Sequence, residues 1–417
     1  MTHKKLCLLA GLCLLTSNPL RATDLFDVSA QSATVNGGTP TVIGDNNLPD
    51  LIEKVIKAQD EFAPYQSANF RASLRYASVY NAMTFIVGSG GTTASLNIPI
   101  TGFSKTFNGA TRDDVEAQIK SFLKKDGATE LAKFLKAIDG KSAVAVSDGN
   151  PGSSTANSAA QSFNSYGMEM GETREEKENP RKAGGSGLGF SADVGRFEAD
   201  GFKGTTYSLP LYARFKLSDR VGLNFDLPIN YTKLEGAQIF GAGIGLGLPI
   251  KVIPHAKDSP WFWQVTPSGG AIASGSQDML AGGLLAQGGF TSLLNYDFKN
   301  FSLSMGNQIS FFQGIPLEYS DYKFDPNISQ QIMKNGLKAS IPFGRRWIFE
   351  VYGIHTEFLQ SAAVDQYFTV GGDLGYRFLG KADSAKKKTG YVKIGLYSQL
   401  SDRYKATNAQ FGTGWKF

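Results

Sequence analysis

Apolar and polar residues alternate along the second half of the chain, from about residue 185 to the end. In residues 220–231, for example, every second side chain is apolar. The apolar set is Val221, Leu223, Phe225, Leu227, Ile229 and Tyr231. A period of two residues is that of a β-strand, whose successive side chains point to opposite faces. The pattern therefore predicts strands with one apolar and one polar face.

About twelve such segments follow one another between residues 187 and 417, separated by polar turns. Most are longer than the ~5 to 6 residues typical of soluble sandwiches and match the ~9 to 11 residues that cross a membrane. We therefore predict an all-β fold, a transmembrane antiparallel β-barrel of about twelve strands over residues 185–417. Closure pairs every backbone hydrogen-bonding group, which lipid requires.

Turn lengths and aromatic residues predict which end of the barrel is which. Short turns at residues 218–219, 299–300 and 344–345 fall on one side, which we assign to the periplasm, and the longest connection, residues 314–331, falls on the other. Aromatic residues next to the short turns predict an interfacial girdle. They are Trp261, Trp263, Phe298, Phe301, Phe343 and Trp347.

Three further segments precede the barrel. Residues 1–22 resemble a secretory signal peptide cleaved after Ala22, and both cysteines, Cys7 and Cys13, lie within it. Residues 23–140 predict a small α+β domain, and the Ser-, Asn- and Gly-rich residues 141–184 predict a disordered linker, one that can enter the barrel. Within the small domain we expect a loose segment at 23–47, a helix at 49–62, strands at 70–77, 83–87 and 93–100, and helices capped by Thr111 and Thr129.

Composition narrows the class of protein. Glycine is frequent, at 48 of 417 residues, and charged residues make up only 19%, which excludes collagen, coiled coils and acidic disorder. The sequence contains no run of ~18 apolar residues, so it predicts no helical membrane span. The charges nearly balance, with 42 Lys and Arg against 37 Asp and Glu, so we expect no nucleic-acid partner.

Candidate chemistry is sparse. His255 and His355 are the histidines beyond the signal segment, and neither follows a hydrolase pattern. We predict no catalytic residue, no metal and no cofactor, and hence no enzyme. The alternating glycines of residues 241–247 do not open a helix, so they do not predict a dinucleotide site. They favour either barrel curvature, our preferred interpretation, or close packing of an inserted segment against the wall.

Alternation also predicts charges that face the lumen. They are Arg214, Lys216, Arg220, Asp226, Lys338, Glu350, Asp373, Arg377, Lys393 and Lys416. Positive charges outnumber negative ones, so an open lumen would show a weak preference for anions. The alternative is that these charges pair across a filled interior.

The last residues carry the most specific motif, with Gln410, Gly412, Trp415 and Phe417 in a polar-x-Gly-x-x-aromatic-x-aromatic ending. This ending resembles that of Gram-negative outer-membrane β-barrel proteins. The resemblance implies location in the outer membrane and two partners, outer-membrane lipid and the barrel-assembly machinery that recognises the final strand. It identifies no specific family and no oligomeric state.

Three functions are consistent with this organisation. The first is a transport or porin-like, or structural, barrel with a periplasmic N-terminal domain. The second resembles autotransporters, in which a passenger precedes a linker and a twelve-stranded translocator, although residues 23–140 lack the long β-helix of typical passengers. The third, a lipid enzyme, lacks a nucleophile constellation.

Overall fold

The computed structural model describes residues 24–57, 59–122, 127–168, 186–254, 259–319, 322–324, 327–379 and 389–416. They form two main antiparallel sheets, one of six strands near the N-terminus and one closed into a barrel. The predicted signal segment and residues 169–184 of the predicted linker lie outside the described residues. Among the helices that are described, none is long and apolar enough to span a bilayer.

The N-terminal domain is a six-stranded sheet with the strand order β2-β1-β3-β4-β5-β6 and three helices. Its elements are β1 Phe26–Gln31, β2 Thr41–Asp45, α1 Leu48–Lys57, β3 Phe70–Tyr76, β4 Val79–Val87, β5 Thr93–Ile98, β6 Phe103–Asn108, α2 Arg112–Ser121 and α3 Ala128–Asp139. Helix α1 buries Leu51, Ile52, Val55 and Ile56, which lie three or four positions apart on one face. The predicted α+β character is therefore found.

Some details of this domain differ from the sequence-based expectation. The segment expected to be loose is ordered where it is described, from residue 24, because Phe26, Val28 and Ala30 alternate into the core and form β1, which pairs with β2. Strand β6 was not predicted. The Thr111 cap is confirmed, since its side chain accepts the Asp114 N–H in a capping box. The Thr129 cap is wrong: the residue at the N-cap of α3 is Gly127, two positions earlier.

The barrel has twelve transmembrane strands, of which three are interrupted. The unbroken strands are β7 Gly187–Ala199, β14 Trp261–Ser276, β15 Ala281–Asp297, β16 Ser302–Ile315, β19 Ser329–Phe343, β20 Trp347–Phe358, β21 Gln366–Leu379, β22 Thr389–Leu400 and β23 Tyr404–Lys416. The interrupted ones are the pairs β8 Phe202–Ser208 with β9 Leu211–Lys216, β10 Gly222–Leu227 with β11 Ile229–Leu234, and β12 Ala237–Gly247 with β13 Ile250–Ile253. The interruptions contain Pro210, Pro228 and Pro249, which have no backbone N–H to donate. A short hairpin, β17 Leu317–Tyr319 with β18 Tyr322–Phe324, lies in the longest connection.

The first and last barrel strands pair with each other and close the sheet. Antiparallel register runs from Tyr404 opposite Ala199 to Lys416 opposite Gly187. Closure leaves no strand edge to face lipid. The predicted twelve-stranded antiparallel barrel is confirmed.

The two faces of the barrel wall differ as the alternation predicted. Apolar side chains such as Ile244, Leu337 and Ile394 are exposed on the outside, whereas polar ones such as Gln308 and Lys334 are buried inside. The six aromatic residues of the predicted girdle are all exposed, at 36 to 44%. The outer surface is therefore an apolar belt with an aromatic rim at one end.

Candidate functional site

A helix crosses the barrel interior, in the segment expected to be a disordered linker. Helix α4 covers Ser154–Tyr166, and the Ser153 hydroxyl caps it by accepting the Ala156 N–H. The helix contacts the inner faces of β14, β15, β16 and β19. The linker prediction missed it because its sequence is mostly small and polar, and its apolar stripe is weak, consisting of Ala156, Ala159, Phe163 and Tyr166. A signal was present: Gly152 and Gly167 flank a run without Gly or Pro.

Polar side chains of the wall hold the first turns of α4. Gln161 Nε2 donates to Ser208 Oγ at 3.1 Å and to Asn230 Oδ1 at 3.0 Å. On the other side, Ser158 donates to the side-chain oxygen of Gln287. The helix and the wall therefore satisfy part of each other's hydrogen-bonding capacity across the lumen.

The last turn of α4 is held by charged groups. Asp226 accepts the hydroxyls of Tyr166 and of Ser165, the latter at 3.1 Å. Arg214 donates to the Ser165 carbonyl at 2.8 Å. The Lys338 ammonium donates to the carbonyl of Met168, just beyond the helix, at 3.1 Å. Three predicted lumen charges thus contact this end of the inserted segment.

Glycines of the wall make room for the larger side chains of this segment. A Cβ on Gly306 would lie 3.0 Å from the Phe163 ring, and one on Gly336 would collide with Met168. In the run 241–247, a Cβ on Gly247 would lie 2.7 Å from the Tyr166 ring. That glycine therefore serves close packing of an inserted segment, the interpretation we had not preferred.

The remaining predicted lumen charges are placed as follows. Lys338 and Glu350 form an ion pair at 3.2 Å and are each only 2% exposed. Lys393 pairs with Asp373 at 3.2 Å, and Arg377 lies over the Tyr391 ring. Lys216 and Arg220 are exposed near a turn, with Lys216 paired to Asp219. For the Lys416 side chain no surroundings are described.

The terminal motif lies on both faces of β23. Gln410 points inward and donates to the Tyr352 hydroxyl at 3.0 Å and to Asp373. Gly412 is buried beside the Lys393 stem, and Trp415 is 47% exposed on the outside. Phe417 lies outside the described residues. Recognition of this motif by the assembly machinery stays a prediction.

The N-terminal domain packs onto one end of the barrel. The Leu48 N–H donates to the Asp278 carbonyl at 2.8 Å, and the Tyr76 hydroxyl donates to the Met279 carbonyl at 3.0 Å. Apolar residues of both parts form one buried cluster, which includes Phe26 and Phe202. The domain therefore covers this mouth of the barrel.

A clamp at the same mouth holds the chain that leads from the domain to α4. Arg403, in the turn before β23, pairs with Asp200 at 2.6 Å and donates to the Lys141 carbonyl at 2.8 Å. Asp200 also accepts the Ala143 N–H at 3.2 Å. Burial opposes ionisation of Asp200, but the hydrogen bonds from Arg403 and Ala143 outweigh it and lower the pKa of this carboxyl.

Two buried carboxylates lie beside the clamp. Burial raises the pKa of Asp139 well above its usual value, and the nearby Asp148 charge raises it further. Burial also raises the pKa of Asp148, although Thr155 donates to it at 2.6 Å and Gln330 at 3.0 Å. Ionisation of this pair therefore opposes the packing at the mouth.

The docked domain and the predicted periplasmic turns lie at opposite ends of the barrel. The chain enters β7 and leaves β23 at the end that carries the turns 218–219, 299–300 and 344–345. The domain contacts the turns at the other end, around residues 200 and 278. The expectations of periplasmic short turns and of a periplasmic domain therefore cannot both hold.

The candidate histidines contribute no catalytic arrangement to the described part of the chain. His355 faces outward, within hydrogen-bonding distance of Gln366 at 3.2 Å and against the Phe368 ring. His255 lies outside the described residues. Across the part of the chain that is described, no three His, Cys, Asp or Glu side chains cluster to hold a metal. That the protein is not an enzyme stays a prediction.

Comparisons with known proteins give similarity in structure only. No protein-family model matches the chain, and no curated protein matches it. The translocator domain of autotransporter NalP from Neisseria meningitidis is 13% identical with a TM-score of 0.40, covering 56% of this chain and 89% of that one. The transport unit of the autotransporter AIDA-I from Escherichia coli is 10% identical with a TM-score of 0.39, covering 63% and 98%. The NanC porin is 10% identical with a TM-score of 0.34, covering 55% and 100%.

These identities and scores transfer no activity. The molecule's own geometry gives the class: twelve antiparallel strands close on themselves, the inner wall is polar, and the outer wall is an apolar belt with an aromatic rim. The described residues therefore form a closed twelve-stranded barrel whose outer surface has the character that a bilayer requires, and no family is assigned to the chain.

Proposed function

We propose that the barrel anchors the N-terminal domain at the outer surface of the outer membrane, with α4 as the tether through the lumen. One observation carries the proposal: α4 runs from the mouth covered by the domain toward the end where β23 finishes. Just before the helix, Asp148 accepts a hydrogen bond from Gln330, at the end of β19 that lies nearest the domain. At the end of the helix, Tyr166 donates to Asp226, near the turns at the opposite end of the barrel. If β23 ends in the periplasm, the domain is outside.

Two features support this orientation. The short turns lie at the end of the barrel where β23 finishes, whereas the longest connection lies at the end covered by the domain. Outer-membrane barrels have short turns in the periplasm and long loops outside. The terminal motif at residues 410–417 resembles that of barrels assembled from the periplasm. This function corresponds to the autotransporter-like alternative and replaces the periplasmic placement of the domain.

A second candidate is a gated transport channel. The observation that favours it is the polar character of the α4 contacts, since removing the helix would leave a lumen lined by Ser, Gln and Asp side chains. In a planar bilayer, the whole protein is then expected to be closed and a variant lacking residues 154–168 open. A variant that stays closed would exclude this candidate.

Cysteine labelling of intact cells tests the anchoring function. In a chain with Cys7 and Cys13 replaced by Ser, Tyr80→Cys places a thiol on the domain, where Tyr80 is 78% exposed, and Asp219→Cys places one on an opposite turn, where the side chain is 93% exposed. A membrane-impermeant 5 kDa maleimide is expected to label the Tyr80→Cys variant on intact cells and the Asp219→Cys variant only after the outer membrane is permeabilised. The reverse pattern would place the domain in the periplasm and overturn the proposal.

A further inference from the structure

Two asparagines interrupt the apolar belt on one wall of the barrel. Asn307 on β16 and Asn335 on β19 lie directly opposite each other in register. Their chain neighbours Gln308 and Lys334 are buried inside, at 3% and 2% exposure, so the two asparagines point outward. Apolar residues flank them along both strands, among them Met305 and Leu337, which are 42% and 55% exposed.

The position of the asparagines along the strands places them within the hydrocarbon region. Asn307 is six residues from the girdle residue Phe301, and Asn335 is eight from Phe343. With a rise of ~3.3 Å per residue and a tilt of ~40°, they lie about 15 and 20 Å beyond the girdle, inside an apolar band ~25 Å tall. Phe311, further along β16, is 46% exposed and continues the belt beyond them.

The residues opposite the two asparagines on the neighbouring strands have hydrogen-bonding partners, whereas among the described residues the asparagine side chains have none. Ser292, opposite Asn307, accepts the Trp263 indole N–H at 3.0 Å, and His355, opposite Asn335, lies 3.2 Å from Gln366. Within the described residues, no hydrogen bond reaches the side-chain amides of Asn307 and Asn335. Acyl chains cannot bond to these groups, so lipid alone leaves them at a cost.

An identical surface satisfies these amides. Each carboxamide has two N–H donors and one carbonyl acceptor, so the patch is complementary to itself when a second copy faces it across a twofold axis. Next to the patch, a Cβ on Gly353 would meet nothing within 4 Å, which leaves a notch beside Leu337. Small residues of this kind let membrane-embedded surfaces approach closely.

We propose that the wall formed by β16, β19 and β20 is the interface of a symmetric homodimer within the membrane, in which Asn307 and Asn335 of each copy hydrogen-bond to those of the other. The wall at β22 provides the contrast. Three consecutive outward residues of β22, Val392, Ile394 and Leu396, are apolar, and Leu396 is 65% exposed. That wall is suited to lipid.

Cross-linking of matched leucines tests the interface. Leu337→Cys, beside the asparagines, and Leu396→Cys, on β22, are each made in the full chain with Cys7 and Cys13 replaced by Ser. After mild oxidation of outer membranes, a disulfide-linked dimer is expected for Leu337→Cys and a monomer for Leu396→Cys. Equal cross-linking of both, cross-linking of neither, or linkage to a protein of different mass would overturn the proposal.

A second measurement tests the amides themselves. The double variant Asn307→Leu with Asn335→Leu is expected to dimerise at least about tenfold more weakly in detergent micelles, as followed by sedimentation equilibrium. Heat-modifiable gel mobility checks that the barrel is still folded. Thr407→Leu, a polar outward position on β23, is the control and is expected to leave the dimer unchanged. Unchanged dimerisation of the double variant would remove the asparagines from the interface.

Discussion

Apolar and polar residues alternate along the strands of both the N-terminal sheet and the barrel, but the apolar face is buried in the first and exposed in the second. In the domain, Leu74 and Phe85 face the helices and are 1% and 3% exposed. In the barrel, Ile394 and Leu396 face outward and are 57% and 65% exposed. Alternation therefore produces a two-faced strand, and it does not decide which face meets solvent.

The length of the strands and the closure of the sheet determine whether the apolar face is buried in a core or exposed to lipid. The domain strands have five to nine residues, so all but one are shorter than a membrane-crossing strand, and their sheet stays open. The unbroken barrel strands have 12 to 17 residues, and their sheet closes. The two sheets nevertheless share a buried cluster at the mouth, where Phe26 of the domain and Met279 of a barrel turn both belong to it. The domain is thus a packed cover.

Truncating a core side chain of the domain is expected to give the largest difference in stability between the two regions. Phe134 on α3 is fully buried and packs edge-on against Tyr76, so Phe134→Ala is expected to cost the domain about 3 to 5 kcal/mol. The domain should become sensitive to protease while the barrel keeps its heat-modifiable mobility. Tyr80→Ala, at a residue 78% exposed, is the control that should leave both intact. Loss of the barrel as well would mean that the two regions fold as one unit.

A charged residue placed on the outer face of each region is expected to give the next largest difference in stability. Ile394→Arg lies in the middle of β22 and is expected to destabilise the barrel by about 2 to 4 kcal/mol, because lipid does not solvate the guanidinium. Val42→Arg on β2 is matched in exposure, at 60% against 57%, and is expected to change the stability of the domain by less than about 0.5 kcal/mol. Urea titration in lipid vesicles measures the first and thermal unfolding the second. Equal effects would contradict the assignment of lipid to the barrel face and water to the domain face.

The sequence predicts the barrel well because its signal is long-range and repetitive. Twelve alternating segments, an aromatic rim and a terminal motif agree with one another, so an error in one strand does not change the architecture. Strands β1 and β2 were missed because each is short and lies among Gly and Asn residues. Local pattern is weakest where few residues carry it.

The lumen helix was missed for a different reason. Helix α4 is held largely by hydrogen bonds, and the apolar stripe that it packs against the wall begins with two alanines, so the pattern by which helices are recognised is weak. The matching signal was divided between distant parts of the chain: Gly306 and Gly336 leave space that Phe163 fills. Such complementarity between residues far apart in sequence becomes visible only when the barrel is closed.

The smallest expected effect concerns pH at the mouth, where the two regions meet. The pKa of Asp139 is raised above its ordinary value of 3.8, chiefly by burial, and Asp148, Lys136 and Tyr76 are the titratable groups that interact with it. A carboxyl with a raised pKa in the folded state supports packing fully below pH 3.8 and loses that support as pH rises through the raised value. The domain should therefore become more sensitive to protease as the pH is raised from 4 to 8. Asp139→Asn keeps an acceptor oxygen for the Asp148 N–H and cannot ionise, so it should reduce this dependence to the part that Asp148 contributes. An unchanged pH profile in that variant would show that Asp139 does not control packing at the mouth.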